Sequence, residues 1–212
     1  MKPRTGSDSF WKHLHPASLT AEAIRFTHTF CLGGLTFLLF LLLGLTGLLL
    51  LFYYWPLPEK ASLSITNLTF VIPYGRFIRG LHFWAGQLMV GTLMLHMVRV
   101  FYHRAFLPPR QMNWLVGLGL LVLTLVLDFT GYTLRWDADT YAATLVGTQL
   151  VMEIPLIGPA LHTLVVGGHQ IGDSTLLRFY VLHCFLLPGL LLFLAFYHFW
   201  RVRKDGLAEK PL

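Results

Sequence analysis

Charge is scarce in this chain: only 12% of its 212 residues are Asp, Glu, Lys or Arg. Soluble domains carry about twice that share, so most of this surface is not built for water. Cysteine is scarcer still. Cys31 and Cys184 are the only two, and neither belongs to a CxxC or CxxCH pattern, which excludes a disulfide framework and a thiol redox pair. The first 25 residues hold no apolar h-region with a small-residue cleavage site, so the chain is expected to insert by its own segments. The net charge is +6, yet the cations are scattered over termini and short loops. Without a continuous basic face, no nucleic acid partner is expected. Internal repeats are lacking, and the only low complexity is a leucine bias.

What is present is apolar bulk, with 55% hydrophobic residues, 17 Phe and 6 Trp. Four segments are long and apolar enough to span a bilayer: about Phe30–Tyr54, Phe77–Tyr102, Trp114–Leu134 and Leu176–Trp200. Tyr53, Tyr54 and Trp55 suit a headgroup belt, and Pro56 stops the first helix. A polar loop is expected from there to about Tyr74. The roughly 40 residues between spans three and four are too many for an idle loop. Within them, Asp137–Gln149 and Gly158–Val166 look like short helices at the membrane surface. The expected fold is all-α: an integral membrane four-helix bundle with two short surface helices between the third and fourth spans. Residues 26–204 form that single domain, between a basic interfacial tail (1–25) and a C-terminal tail (205–212). Cations set orientation. Both termini and the Arg104–Arg110 loop are basic, which puts the termini on the cytoplasmic (negative) side, in contact with membrane lipid.

Histidines carry the chemistry. His82 and His96 are 14 residues apart on the second span, and His183 and His198 are 15 apart on the fourth. At about 1.5 Å and 100° per residue, the first pair shares one face at two depths about 21 Å apart. The second pair misses that register by about 60°, which a small axial rotation is expected to absorb. In parallel helices, His82 meets His183 near the positive side and His96 meets His198 near the negative side. Ligands that far apart cannot share one zinc. Two haems, each held by two imidazoles as axial iron ligands, fit the residues and the missing CxxCH. Gly33 and Gly47 on span one and Gly117 and Gly131 on span three repeat the spacing of 14; each pair is expected to let a haem edge approach the backbone at both levels. Arg79, three residues before His82, and Arg99, three after His96, stand where haem propionates need cations. The remaining histidines fall in loops or at segment ends.

Several motifs then stand together: Phe30-Cys31-Leu-Gly-Gly34, Phe52-Tyr-Tyr54, Arg79-Gly-Leu-His82, His96-Met-Val-Arg99, Gly131-Tyr132, Trp136-Asp137, Ile154-Pro155-Leu-Ile-Gly158 and Ser174-Thr-Leu-Leu-Arg178-Phe-Tyr180 before His183. From about Thr27 to Lys204 the chain resembles the cytochrome b of Rieske/cytochrome b complexes, most closely the short b6 type. In b6-type relatives too, the fourth-span histidines are 15 apart and the chain stops after that span. The resemblance implies two haem b and, on Cys31, a covalently attached haem c. It implies a subunit of a quinol:cytochrome c (or plastocyanin-type acceptor) oxidoreductase in an energy-transducing membrane, a bacterial inner membrane or else a thylakoid. The implied partners are a Rieske iron–sulfur protein, a c-type cytochrome and a separate subunit carrying the C-terminal cytochrome b helices, in a homodimeric complex. Quinol would be oxidised near Tyr132, Trp136 and Ala143, and quinone would bind on the negative side by Arg203 and Lys204. One departure stands out: Arg135 replaces the proline usual before Trp136.

Two rivals are a dihaem cytochrome b that anchors a quinone-linked dehydrogenase or reductase without bifurcation, and a haem-free helical scaffold or transporter subunit. The resemblance also yields a prediction. Counted without gaps from Trp136, Ala143 takes the place of a glycine that lets methoxyacrylate inhibitors pass the backbone in mitochondrial-type relatives. An added methyl in a tight pocket costs roughly 1–3 kcal/mol, and each 1.4 kcal/mol is about tenfold in affinity. Titrated quinol oxidation should therefore resist such inhibitors, and Ala143→Gly should restore sensitivity. Stoichiometric block of the native complex would remove Ala143 from the pocket.

Overall fold

The computed structural model describes residues 30–206; the N-terminal tail (1–25), residues 26–29 and all but the first two residues of the C-terminal tail (205–212) lie outside them. Helices α1 (Leu32–Leu51), α3 (Gly75–Tyr102) and α4 (Gln111–Thr133) are long and apolar enough to cross a membrane. So is the continuous stretch Asp173–Asp205, made of α7 (Asp173–Val181), a π-helical turn (Leu182–Leu186) and α8 (Leu187–Asp205). The four expected spans are all present. Between the first two, the expected polar loop is instead helix α2 (Pro58–Phe70). Pro58 looks like a loop residue, but it opens the helix, where the missing N–H costs nothing. Ala61, Ser64 and Leu68, spaced by three and four, form its buried face.

On α1 only Thr36 and Thr46 are buried; Leu38, Leu45 and Leu48 are more than half exposed. Such a helix is apolar all round because lipid, not core, covers it. Among the described residues the interior is narrow. Ala85, Met89 and Leu93 on α3 are buried between His82 and His96, and Leu191 and Ala195 on α8 between His183 and His198. The stripe 82, 85, 89, 93, 96 advances by three and four, which keeps it on one helix face.

The third connection folds into α5 (Ala138–Met152) and α6 (Gly158–Val166), close to the two surface helices expected. Thr140, Thr144 and Thr148 line the buried face of α5, the last two donating back to the carbonyls of Thr140 and Thr144 at 2.7 and 2.9 Å. Small residues let α5 lie close; a Cβ on Gly147 would run into the Phe129 ring. The opposite face exposes Leu145, Val146 and Leu150, as a helix at a lipid interface does.

Asp137 caps α5: its carboxylate accepts from the Thr140 N–H at 3.0 Å while the Thr140 hydroxyl accepts from the Asp137 N–H at 2.9 Å. Arg135 holds the same carboxylate at 2.7 Å. Partial burial pushes the Asp137 pKa up, but the Thr140 hydrogen bonds and the Arg135 cation outweigh it and hold it below the usual carboxylate value. A depressed folded-state pKa makes this support present at neutral pH and lost as pH falls through that value. Truncating such a cap costs about 1 kcal/mol, so Asp137→Ala should speed amide exchange in the first turn of α5 about fivefold. Hydrogen–deuterium exchange at neutral pH is the check; unchanged protection there would show that the cap does not hold the helix.

Candidate functional site

The four histidines come together in two pairs at two depths. His82 and His183 face each other with ring centroids 6.4 Å apart. His96 and His198 line one cavity of about 470 Å³ at the other depth. Each ring lies against a glycine of a neighbouring helix. A Cβ on Gly47 would lie 3.2 Å from His82 Cε1, and one on Gly33 3.2 Å from His96 Cε1. On α4 the matching distances are 2.5 Å from Gly131 to His183 and 3.6 Å from Gly117 to His198. All four glycines expected to face a haem thus lie directly against the histidine rings. These contacts make α1 antiparallel to α3 and α4 antiparallel to α7–α8, so the two histidine helices run parallel.

The spacing of 15 has its own solution. His183 sits in the π turn, and a turn closed i to i+5 holds one residue more than an α turn. The extra residue is consumed there. His183 and His198 then reach two glycines 14 apart on one helix, as an α-helical spacing of 14 would. The expected axial rotation is corrected accordingly: a local bulge restores the phase.

Hydroxyls orient the first pair. Thr46 donates to the Leu42 carbonyl at 2.8 Å, so at 2.8 Å from His82 Nδ1 its oxygen accepts the ring N–H. His183 Nδ1 lies 3.1 Å from the Leu127 carbonyl and 3.3 Å from the Thr130 hydroxyl. With the proton on Nδ1, Nε2 carries the lone pair in both rings, as a metal ligand requires. Sequence reading missed these threonines, although Thr46-Gly47 and Thr130-Gly131 are a repeated dipeptide. It also missed three side chains on the cavity wall. Arg110, Asn113 and Trp114 line the cavity, and Arg110 Nε, Asn113 Oδ1 and Trp114 Nε1 are buried without a hydrogen-bond partner. In the sequence they pass for interfacial residues at the start of a span.

Cys31 and Arg99 line the same cavity, together with Gly33; Arg99 stacks on Phe30 at 5.3 Å. Arg79 is half-buried near the first pair. The expected quinol residues gather at the α4–α5 corner. Arg135 lies 5.2 Å over the Tyr132 ring, Trp136 packs edge-on against Tyr141 at 5.8 Å, and Ala143 is half-buried on α5. Arg203 and Lys204 are at the far end of α8, exposed, with Lys204 over Trp200 at 5.1 Å. Among the described residues, no three His, Cys, Asp or Glu side chains cluster as a metal site. The two histidine pairs are the ligand sets on offer.

A family model for cytochrome b/b6/petB matches residues 18–206. The chain belongs to the cytochrome b family. A cytochrome b6 from Heliomicrobium gestii is 42% identical over 180 residues, covering 85% of this chain and 84% of that one. The menaquinol:cytochrome c reductase cytochrome b subunit of Geobacillus thermodenitrificans is 38% identical over 198 residues, covering 93% and 86%. Among solved structures, a hyperthermophilic respiratory complex III chain superposes with a TM-score of 0.77 at 27% identity. It covers 84% of this cytochrome b, which spans only 48% of that longer chain.

Family membership implies haem b, and the residues fit it. The His82 and His183 ring centroids, 6.4 Å apart, bring two imidazoles close enough to serve one iron as a ligand pair. The second level offers an apolar cavity whose unpartnered Arg110 Nε and Trp114 Nε1 donors suit the carboxylate edge of the macrocycle. The glycine distances rank a mutational series. Overpacking costs roughly 1–3 kcal/mol, so Gly131→Ala should lose haem most, Gly33→Ala and Gly47→Ala less, and Gly117→Ala least. Haem per chain after purification checks the order; a Gly117→Ala more damaging than Gly131→Ala would contradict it.

Proposed function

We propose that this chain is the dihaem cytochrome b subunit of a quinol oxidoreductase of the Rieske/cytochrome b type. One observation carries the reading: four histidines on two parallel helices, each seated against a glycine, at two depths of a membrane bundle. His82 and His183 hold one haem b, and His96 and His198 hold the other. When bound, the haems supply one-electron carriers at two depths, so electrons can cross the low-dielectric interior. Everything else is the work of the chain. Thr46, Thr130 and the Leu127 carbonyl fix the ring tautomers, while Met89, Leu93, Leu191 and Ala195 exclude water between the levels. Arg79 and Arg99 neutralise the propionates of the two sites, joined at the second by Arg110 and Trp114.

The α4–α5 corner is the positive side, where Tyr132, Trp136 and Ala143 form one wall of the quinol pocket. A Rieske iron–sulfur protein takes one electron there, for delivery to a c-type cytochrome. A separate subunit carrying the C-terminal cytochrome b helices completes the pocket. The cavity end is the negative, cytoplasmic side of an energy-transducing membrane, with Arg203 and Lys204 at the quinone entrance. Cys31 carries a covalent haem c; its place on the cavity wall beside His96 and His198 supports this.

A non-bifurcating dihaem anchor would share the haem ladder but not the α4–α5 corner. Pyridine haemochrome analysis should find two non-covalent haem b per chain, and His82→Ala and His183→Ala should remove the same spectral component. The denatured chain should retain a haem stain that Cys31→Ser abolishes. Loss of different components from the two histidine variants would refute the pairing, and a stain surviving in Cys31→Ser would refute the attachment.

A further inference from the structure

Asp128 is the one carboxylate within the four apolar spans that is not at a span's end, among the described residues. An ionisable group at that depth is costly, and its default reading is functional. Its Oδ1 accepts a hydrogen bond from Gln87 Nε2 at 3.2 Å, and a Cβ on Gly86 would lie 3.8 Å from the same oxygen. Gly86 is one turn beyond His82 on α3. Asp128 itself is one turn before Gly131, whose Cβ space is taken by the His183 ring. The carboxylate therefore stands about 5 Å along the helix axes from the His82/His183 level, on the side of the second level.

Polar groups lead from it to the surface. Tyr132 follows Asp128 by four residues on the same helix face, and both are exposed at the flank of the bundle. Arg135 lies over the Tyr132 ring and holds Asp137 at the α4–α5 corner. The titratable and charged groups on elements packed against this end of α4 are Arg79 and His82 from α3, His183 and Cys184 from the π turn, Asp173, Arg178 and Tyr180 from α7, Asp139 and Tyr141 from α5, and Tyr54, which bonds the Leu134 carbonyl. None of them bonds to Asp128, so its charge is uncompensated by a cation. An electron arriving at the adjacent level makes that charge harder to keep at the depth of a low-dielectric membrane.

We propose that Asp128 is a redox-linked proton site: it binds one proton as one electron enters the His82/His183 level, and releases it along Tyr132 and the Arg135–Asp137 pair when the electron leaves. The balance is simple. Ferric iron becomes ferrous and the carboxylate becomes a carboxylic acid, with the electron drawn from quinol in the reaction or from dithionite in a titration. The inference rests on the haem assignment above, and its test separates the two.

Optical redox titration of the native complex at a series of pH values should resolve two b components. The midpoint of the His82/His183 component should fall as pH rises. Asp128→Asn should raise that midpoint and flatten its pH slope, Asp128→Glu should keep the slope, and the other component should barely move. A redox-difference infrared spectrum of the native complex should show a protonated-carboxyl band on reduction, independent of whether the asparagine variant folds. If no two b components are resolved, the haem assignment fails and this inference with it. With two components present, an unchanged slope in Asp128→Asn, or no carboxyl band in the native complex, overturns this inference alone.

Discussion

An imidazole can stand upright between two membrane helices only if the helix across from it gives up a side chain. The bundle is arranged around meeting that condition four times. The requirement sets the 14-residue phase of α1 and α4, the antiparallel sense of each with its histidine helix, and the narrow buried stripe between the two levels. Where a ring presses hardest, at Gly131, even a methyl group has no room. The leucines of α1 need only be apolar, since lipid covers most of them. The glycines have no such freedom.

The two levels are built differently. At the α4–α5 end the rings are pinned by threonine hydroxyls and the Leu127 carbonyl. At the other end the pair lines a cavity whose wall keeps buried polar atoms in reserve. A fully bonded ring is more basic and better fixed than one left to find its partner, and second-shell bonds of this kind tune a metal's potential. Haems held at the two levels would therefore differ in energy despite the same ligand type.

Much of this was legible in the sequence because membrane helices obey simple arithmetic. Length and hydropathy gave the spans, and the spacing of 14 gave both the shared face of His82 and His96 and the glycines opposite. What escaped depends on neighbours distant in sequence. Pro58 reads as a loop residue until Ala61, Ser64 and Leu68 find α3 to pack on. Thr46 and Thr130 look like ordinary small residues until a ring nitrogen lies beside the hydroxyl. Arg110, Asn113 and Trp114 look like a headgroup belt until the cavity behind them is seen. Arg135 read as a disturbance where a proline is usual. It proves to be a clasp, tying the end of α4 to the cap of α5.

The π turn at Leu182–Leu186 has a consequence beyond this molecule. A helix that must present two ligands in phase should be intolerant of inserted or deleted residues between them. A bulge that absorbs one residue removes that intolerance at one place. Coding sequences differing by a single codon there can specify the same pair of sites, so histidine spacings of 14 and 15 need not mark different architectures. The bulge is where this helix can change length without changing what it holds.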